Sequence, residues 1–257
     1  MKTRILAYDI EVSPLIGYSW KTYQTDIIEV IEDYQILTVA WQWIGEKKVH
    51  VIGQDDFKDY KPGVNDDTNV VKKLHELFCE ADAVLAHNGR AFDEKKSQAR
   101  MLIRGLEPPT PYKQIDTKLM AKRVGGFTSN SLKNLADSLS VAQKGDSGGF
   151  ETWKGCLAGD KKAWKQMKKY NKQDIPPLVD LYLKLRPWDK QALPLNVMNG
   201  EYDACPKCGK NKGFVNNFKY RHTKTGAMYQ YLRCKACQAS VQRRIPEDSY
   251  RKVDYVS

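Results

Sequence analysis

Residues 5–12 read Ile5-Leu6-Ala7-Tyr8-Asp9-Ile10-Glu11-Val12, an apolar strand-like run interrupted by two carboxylates at a spacing of two. Side chains alternate across a β-strand, so Asp9 and Glu11 point to the same face. Two adjacent like charges repel unless a cation lies between them, which makes the pair a candidate metal ligand set. A solvated edge strand gives the same letters, so the decision rests on what accompanies the pair.

The chain has 257 residues, of which 41% are hydrophobic. That is enough for one full α/β domain and a small appendage. The first apolar run is broken by Asp9 and Glu11, and no uninterrupted apolar span reaches membrane length, so the expectation is a cytoplasmic protein with no membrane partner. Four of the six cysteines form two Cys-x-x-Cys pairs, while Cys79 and Cys156 stand alone. This usage suits metal-bound thiolates in a reducing compartment better than a disulfide framework. The formal charge is +11, and residues 201–257 hold 12 Lys/Arg against 5 Asp/Glu. A basic segment of that kind suits a polyanion, and nucleic acid is the commonest inside cells.

Strand-like runs at 4–12, 36–44 and 47–52 open the chain, the last two joined by Gly45-Glu46 as a hairpin. Val70, Val71, Leu74, Leu77 and Phe78 then recur at helical spacing behind the capping candidates Asp67 and Thr68. Ala83 to Ala86 reads as a buried strand and Gln114 to Asp116 as another, with helices expected at 93–104, 117–122, 131–139, 160–172 and 178–185. Strands followed by strand-helix alternation predict an α/β fold with a mixed sheet flanked by helices. The glycine-rich stretch 143–155, with Lys144 and Lys154, is a candidate flap. Pro176-Pro177 predicts a kink or restart in the helix that follows Tyr170.

Three features extend the opening pair. His87-Asn88-Gly89-Arg90-Ala91-Phe92-Asp93 is a turn after a buried strand that delivers Asp93 to a helix start. Tyr170-Asn171-Lys172-Gln173-Asp174 places Tyr170 and Asp174 four apart on one helix face. Ile115-Asp116-Thr117 and Ser131-Leu132-Lys133-Asn134-Leu135-Ala136 fall between them. In this order the motifs resemble the DEDDy branch of the DnaQ-like 3′-5′ exonucleases, the RNase H-like proofreading fold of DNA polymerases, over roughly residues 3–186. Glu94-Lys95-Lys96 departs from that pattern, since family members more often have apolar residues there.

The resemblance implies two catalytic Mg²⁺ or Mn²⁺ ions about 4 Å apart, one activating water and one stabilising the leaving oxygen. It implies that Asp9 bridges them, that Glu11 and Asp174 complete the ion beside the water, and that Asp93 holds the second. Tyr170 would orient the attacking water, since a phenol titrating near pH 10 is a poor base at neutral pH. Asn88, Phe92 and Lys144 are candidate substrate contacts, although Asn88 also suits ordinary turn chemistry and Phe92 a core. His87 reads as structural and Asp116 as a helix cap.

Cys205-Pro206-Lys207-Cys208 and Cys234-Lys235-Ala236-Cys237 supply four thiolates for one structural Zn²⁺ and resemble a zinc ribbon. Between them Tyr220, Arg221, His222, Lys224, Tyr229, Tyr231 and Arg233 mix cations with aromatics, as a single-strand-binding surface does, making Arg221 and Arg233 candidate substrate contacts. The expected domains are an exonuclease domain at 1–187, a linker at 188–204 and a ribbon at 205–257. Single-stranded DNA is the favoured partner and RNA the alternative, with a polymerase or a replication or repair protein acting in trans. The rival readings are an endonuclease or RNA-processing nuclease on the same fold, and a non-catalytic adaptor working through the ribbon.

Overall fold

The computed structural model describes residues 2–23, 26–64, 66–141 and 149–246. It divides into two compact units, Arg4–Tyr182 and Leu183–Ser257 with Met1–Thr3.

In the first unit Ile5–Val12 (β1) is the middle strand of five. Ile36–Trp43 (β4) and His50–Gly53 (β5) lie to one side, and Ala83–Ala86 (β6) and Lys113–Asp116 (β7) to the other, giving the order β5-β4-β1-β6-β7. The β1/β4 and β4/β5 pairs are antiparallel, and β1/β6 and β6/β7 are parallel. The sheet is therefore mixed, as predicted. Period-two alternation sorts β1: Leu6, Tyr8 and Ile10 stand opposite Trp43, Trp41 and Val39 and pack on Thr68–Glu80 (α1) through Val70, Val71, Leu74, Leu77 and Phe78. Asp9 and Glu11, opposite Ala40 and Thr38, take the other face.

Several boundaries differ from the sequence expectation. Strand β5 begins at His50, so Lys47 and Lys48 lie in the loop and leave the solvent side of the turn charged. Ile16–Tyr18 (β2) and Glu29–Glu32 (β3) form a separate two-stranded sheet that the alternation signal did not reveal, because both of its faces carry apolar residues. Helices follow at Asp93–Ile103 (α2), Thr117–Val124 (α3), Leu132–Ser138 (α4) and Phe150–Leu157 (α5), the last beginning within the stretch read as a flap; residues 142–148 lie outside the described residues.

Lys161–Leu185 (α6) runs unbroken through Pro176 and Pro177, where two helices had been expected. Each proline forfeits one helix hydrogen bond. Burial of Ile175, Leu178, Val179, Leu181 and Tyr182 on both sides of the pair outweighs that loss.

Asp67 sits at the α1 N-terminus, yet its side chain makes no capping bond. Fully buried, it accepts from Ile36 N–H at 2.9 Å, from Arg100 Nε and Nη2 at 2.7 and 2.8 Å, and from Arg104 Nε at 2.8 Å. One carboxylate thus fastens α1 and α2 to β4. Charge-assisted bonds to every lone pair are what make such a burial tolerable.

The second unit holds Leu195–Met198 (α7) and a three-stranded antiparallel sheet, Phe214–His222 (β8), Met228–Cys234 (β9) and Ser240–Arg244 (β10). Its small core consists of Cys205, Cys208, Leu232, Cys234, Ala239 and Val241. The 188–204 stretch belongs to this unit, where Leu195 N–H donates to the Pro206 carbonyl at 2.9 Å. Among the described residues no helix is long and apolar enough to cross a membrane.

Asp67→Ala leaves Arg100 in the interior without its bidentate carboxylate and should lower unfolding free energy by about 3–5 kcal/mol in urea titration. Asp66→Ala, a solvent-facing control beside it, should cost less than about 1 kcal/mol.

Candidate active site and metal centre

The carboxylates of Asp9, Glu11 and Asp174 converge, with one oxygen from each lying within 4.8 Å of the others. Oxygen ligands about 2.1 Å from one octahedral cation stand about 3 Å apart at adjacent corners and about 4.2 Å at opposite ones, so the spacing fits a hard divalent ion. Asp9 and Glu11 come from the face of β1 turned away from α1, and Asp174 from α6. The sequence-derived trio is therefore assembled from residues 165 positions apart at its extremes.

The fourth carboxylate, Asp93, lies outside this group. It opens α2, is 4% exposed, and its Oδ1 accepts from Ile10 N–H at 3.4 Å. Strand β6 pairs with β1 only through Ala7, so Asp93 takes up backbone that β6 has left behind. Tyr170 is buried, and its ring meets Trp153 of α5 edge-on at 6.3 Å between centroids.

Asn171, which the sequence reading passed over, is fully buried beside the trio. Its Nδ2 donates to Asp9 Oδ2 at 2.6 Å and to the Asp9 carbonyl at 3.3 Å, and its Oδ1 accepts from Thr38 Oγ1 at 2.9 Å. A carboxylate held by one firm donor keeps its remaining lone pairs in a fixed direction. The available signal was spacing: Asn171 stands three residues before Asp174, on the same helix face.

Around the site, Asp116 organises rather than ligates. Its carboxylate caps α3 through Lys118 and Leu119 N–H and also accepts from Asn88 and Arg90 N–H at 3.1 and 3.3 Å. Asn88 adopts a left-handed φ of 65°, which asparagine tolerates, so its turn role is secure. His87 bonds Thr117 Oγ1 at 2.9 Å and the Asn130 carbonyl at 3.0 Å, as a structural histidine does. Phe92 is 39% exposed instead of core. Lys96 Nζ lies over the Tyr34 ring at 3.5 Å and 5.3 Å from the Phe92 centroid, and burial lowers its pKa, so it is a cation–π partner rather than a solvated charge. Glu94 accepts from Tyr112 Oη at 3.0 Å and from Gln114 Nε2. Lys144 lies outside the described residues.

In the second unit Cys205, Cys208, Cys234 and Cys237 form one group. Their sulfurs approach at 3.8 Å for Cys205–Cys237 and 3.9 Å for Cys208–Cys234. Tetrahedral zinc with Zn–S bonds of about 2.3 Å requires sulfurs about 3.8 Å apart, so the donor set and its dimensions fit. Burial pushes the Cys205 thiol up to about 11 without an ion, and a cation is what would deprotonate it. Arg221 and Arg233 are exposed on the sheet that the knuckles support.

Asn171→Ala should weaken Mn²⁺ binding by about 10- to 100-fold, read by paramagnetic resonance on zinc-loaded protein. Thr38→Val, one bond further out, should act in the same direction by a smaller factor. Cys234→Ser should abolish the one equivalent of zinc expected by metal analysis of the parent.

No curated protein matches the chain. A family model of the RNase_H superfamily matches residues 15–186, which takes in Asp93, Tyr170 and Asp174 and the sheet from β4 onward. A match over that share of the sequence, with a mixed five-stranded sheet that brings carboxylates together beside its central strand, makes the chain a member of the RNase_H superfamily.

Proposed function

We propose that the protein is a metal-dependent 3′-5′ exonuclease of the DEDDy type, acting on single-stranded or frayed nucleic acid, DNA before RNA. The observation that carries this reading is the meeting of Asp9, Glu11 and Asp174 within 4.8 Å, with Tyr170 one helical turn before Asp174. Membership of a nuclease-type superfamily supports a phosphodiester substrate.

Asp9, Glu11 and Asp174 would hold Mg²⁺ or Mn²⁺, with Asp93 as the carboxylate for a second ion. When bound, such ions activate a water and neutralise charge that develops on the phosphate. The protein's own part is geometric. Asn171 fixes Asp9 from behind, and Trp153 buttresses the Tyr170 ring, so the phenol is held by packing. In this reading Tyr170 Oη donates to or accepts from the attacking water and sets its line of approach. Placement of this kind accounts for a large share of the lowering of the barrier in phosphoryl transfer.

With 3′- and 5′-labelled oligonucleotides and a circular single strand, the expected result is a ladder that starts at the 3′ end and leaves circles intact. Asp9→Ala and Asp174→Ala should each reduce the rate at least about a hundredfold with the fold retained, since losing an outer-shell partner of a metal already costs 10- to 100-fold. Nicked circles would replace this reading with an endonuclease. Retained binding with no cleavage would replace it with an adaptor.

A further inference from the structure

Strand pairing gives the C-terminal sheet two unlike faces. Tyr229 lies between Arg221 and Arg244, and Tyr231 between Lys219 and Gln242. Directly opposed residues share a face, so these side chains line one surface, whereas Met228, Leu232 and Val241 turn to the buried one. Arg233, two residues on from Tyr231, continues the outward surface between Val215 and Ser240. No Asp or Glu belongs to it among the described residues.

This surface runs into a groove of about 840 Å³ whose walls include Arg233 and Gln242 together with Lys184, Trp188, Lys190 and Lys207. Among the described residues no acidic side chain lines the groove. Trp188, at 76%, is among the more exposed large hydrophobic residues of the chain, although its indole is costly to leave in water. Lys207 Nζ donates to the Asp189 carbonyl and so fixes one wall. Aromatic platforms alternating with cations, with no anion between them, suit a polymer that carries a π-face and a charge in every unit. Tyr229 and Tyr231, two strand residues apart, are separated by about 7 Å, the rise of two stacked nucleotides.

We propose that this face and groove form one track for a single-stranded polynucleotide, with bases stacking on Tyr231 and Trp188 and phosphates held by Lys190 and Arg233. The track deepens the exonuclease reading by naming where substrate is gripped. Its test is a binding measurement and stands whether or not the chain cleaves.

Affinity for a fluorescent oligo-dU and an oligo-U is measured against salt in the Asp9→Ala background, without added divalent metal, with zinc content confirming the fold. One base stack is worth about 1–3 kcal/mol, so Trp188→Ala should weaken binding about 5- to 150-fold with little change in salt slope. Lys190→Ala with Arg233→Ala should flatten the slope of log affinity against log salt by about 1.4, at about 0.7 for each phosphate released. Tyr202→Ala, an exposed aromatic off the track, should bind as the parent does. Affinities within twofold of the parent for both track variants would overturn the proposal and leave the groove to an acidic peptide. An equal loss on duplex and single strand from Trp188→Ala would also overturn it, since paired bases cannot stack there. The ratio of affinities for oligo-dU and oligo-U, which differ only at the 2′ position, identifies the preferred sugar.

Discussion

A single buried amide ties the RNase_H-superfamily unit of the molecule together. Asn171 reaches from α6 to Asp9 on β1 and to Thr38 on β4, so one side chain fixes a helix against two adjacent strands. Left without partners in the interior, that amide would cost about 1–3 kcal/mol, so the helix has one favoured rotation and height on the sheet. Asp174, three residues on, shares its helix face, and the approach of its carboxylate to Asp9 and Glu11 follows from that placement. Fold and site are thus fixed by the same bond.

Much of this was legible in residue order. Period two in β1 separated Leu6, Tyr8 and Ile10 from Asp9 and Glu11, and the paired Cys-x-x-Cys motifs announced a four-sulfur cluster. Asp116 and His87 also have the supporting roles their contexts suggested. What escaped notice depends on distant partners. Pro176-Pro177 reads locally as a break, but buried neighbours on both sides hold α6 continuous. Asp67 has the letters of a helix cap, yet two arginines more than thirty residues later claim its oxygens. Asn171 looked like filler between Tyr170 and Asp174, because the residues it serves lie more than a hundred positions earlier. In each case local propensity was outweighed by a tertiary contact of larger energy.

The C-terminal unit solves a different problem. Its sheet has one narrow apolar face, and a core of six buried residues, three of them cysteines, cannot stabilise so short a module by burial alone. Four convergent sulfurs could hold a metal, whose cross-link would stand in place of a larger core. That economy leaves the other face of the sheet unneeded for folding and therefore available for cations and aromatics.

The β2/β3 hairpin exposes Tyr18, Trp20, Tyr23, Ile28, Val30 and Ile31, with Trp20 and Tyr23 at 83% and 97%. A two-stranded ribbon with open edges and bare apolar faces is an invitation to self-association. A net charge of +11 opposes it by keeping copies of the chain apart. The cation excess that would draw in a phosphate polymer is then also the colloidal protection of the hairpin, and ionic strength, which shortens the reach of both, couples them. Conditions that release a polyanion from the protein are the same conditions under which its molecules meet one another.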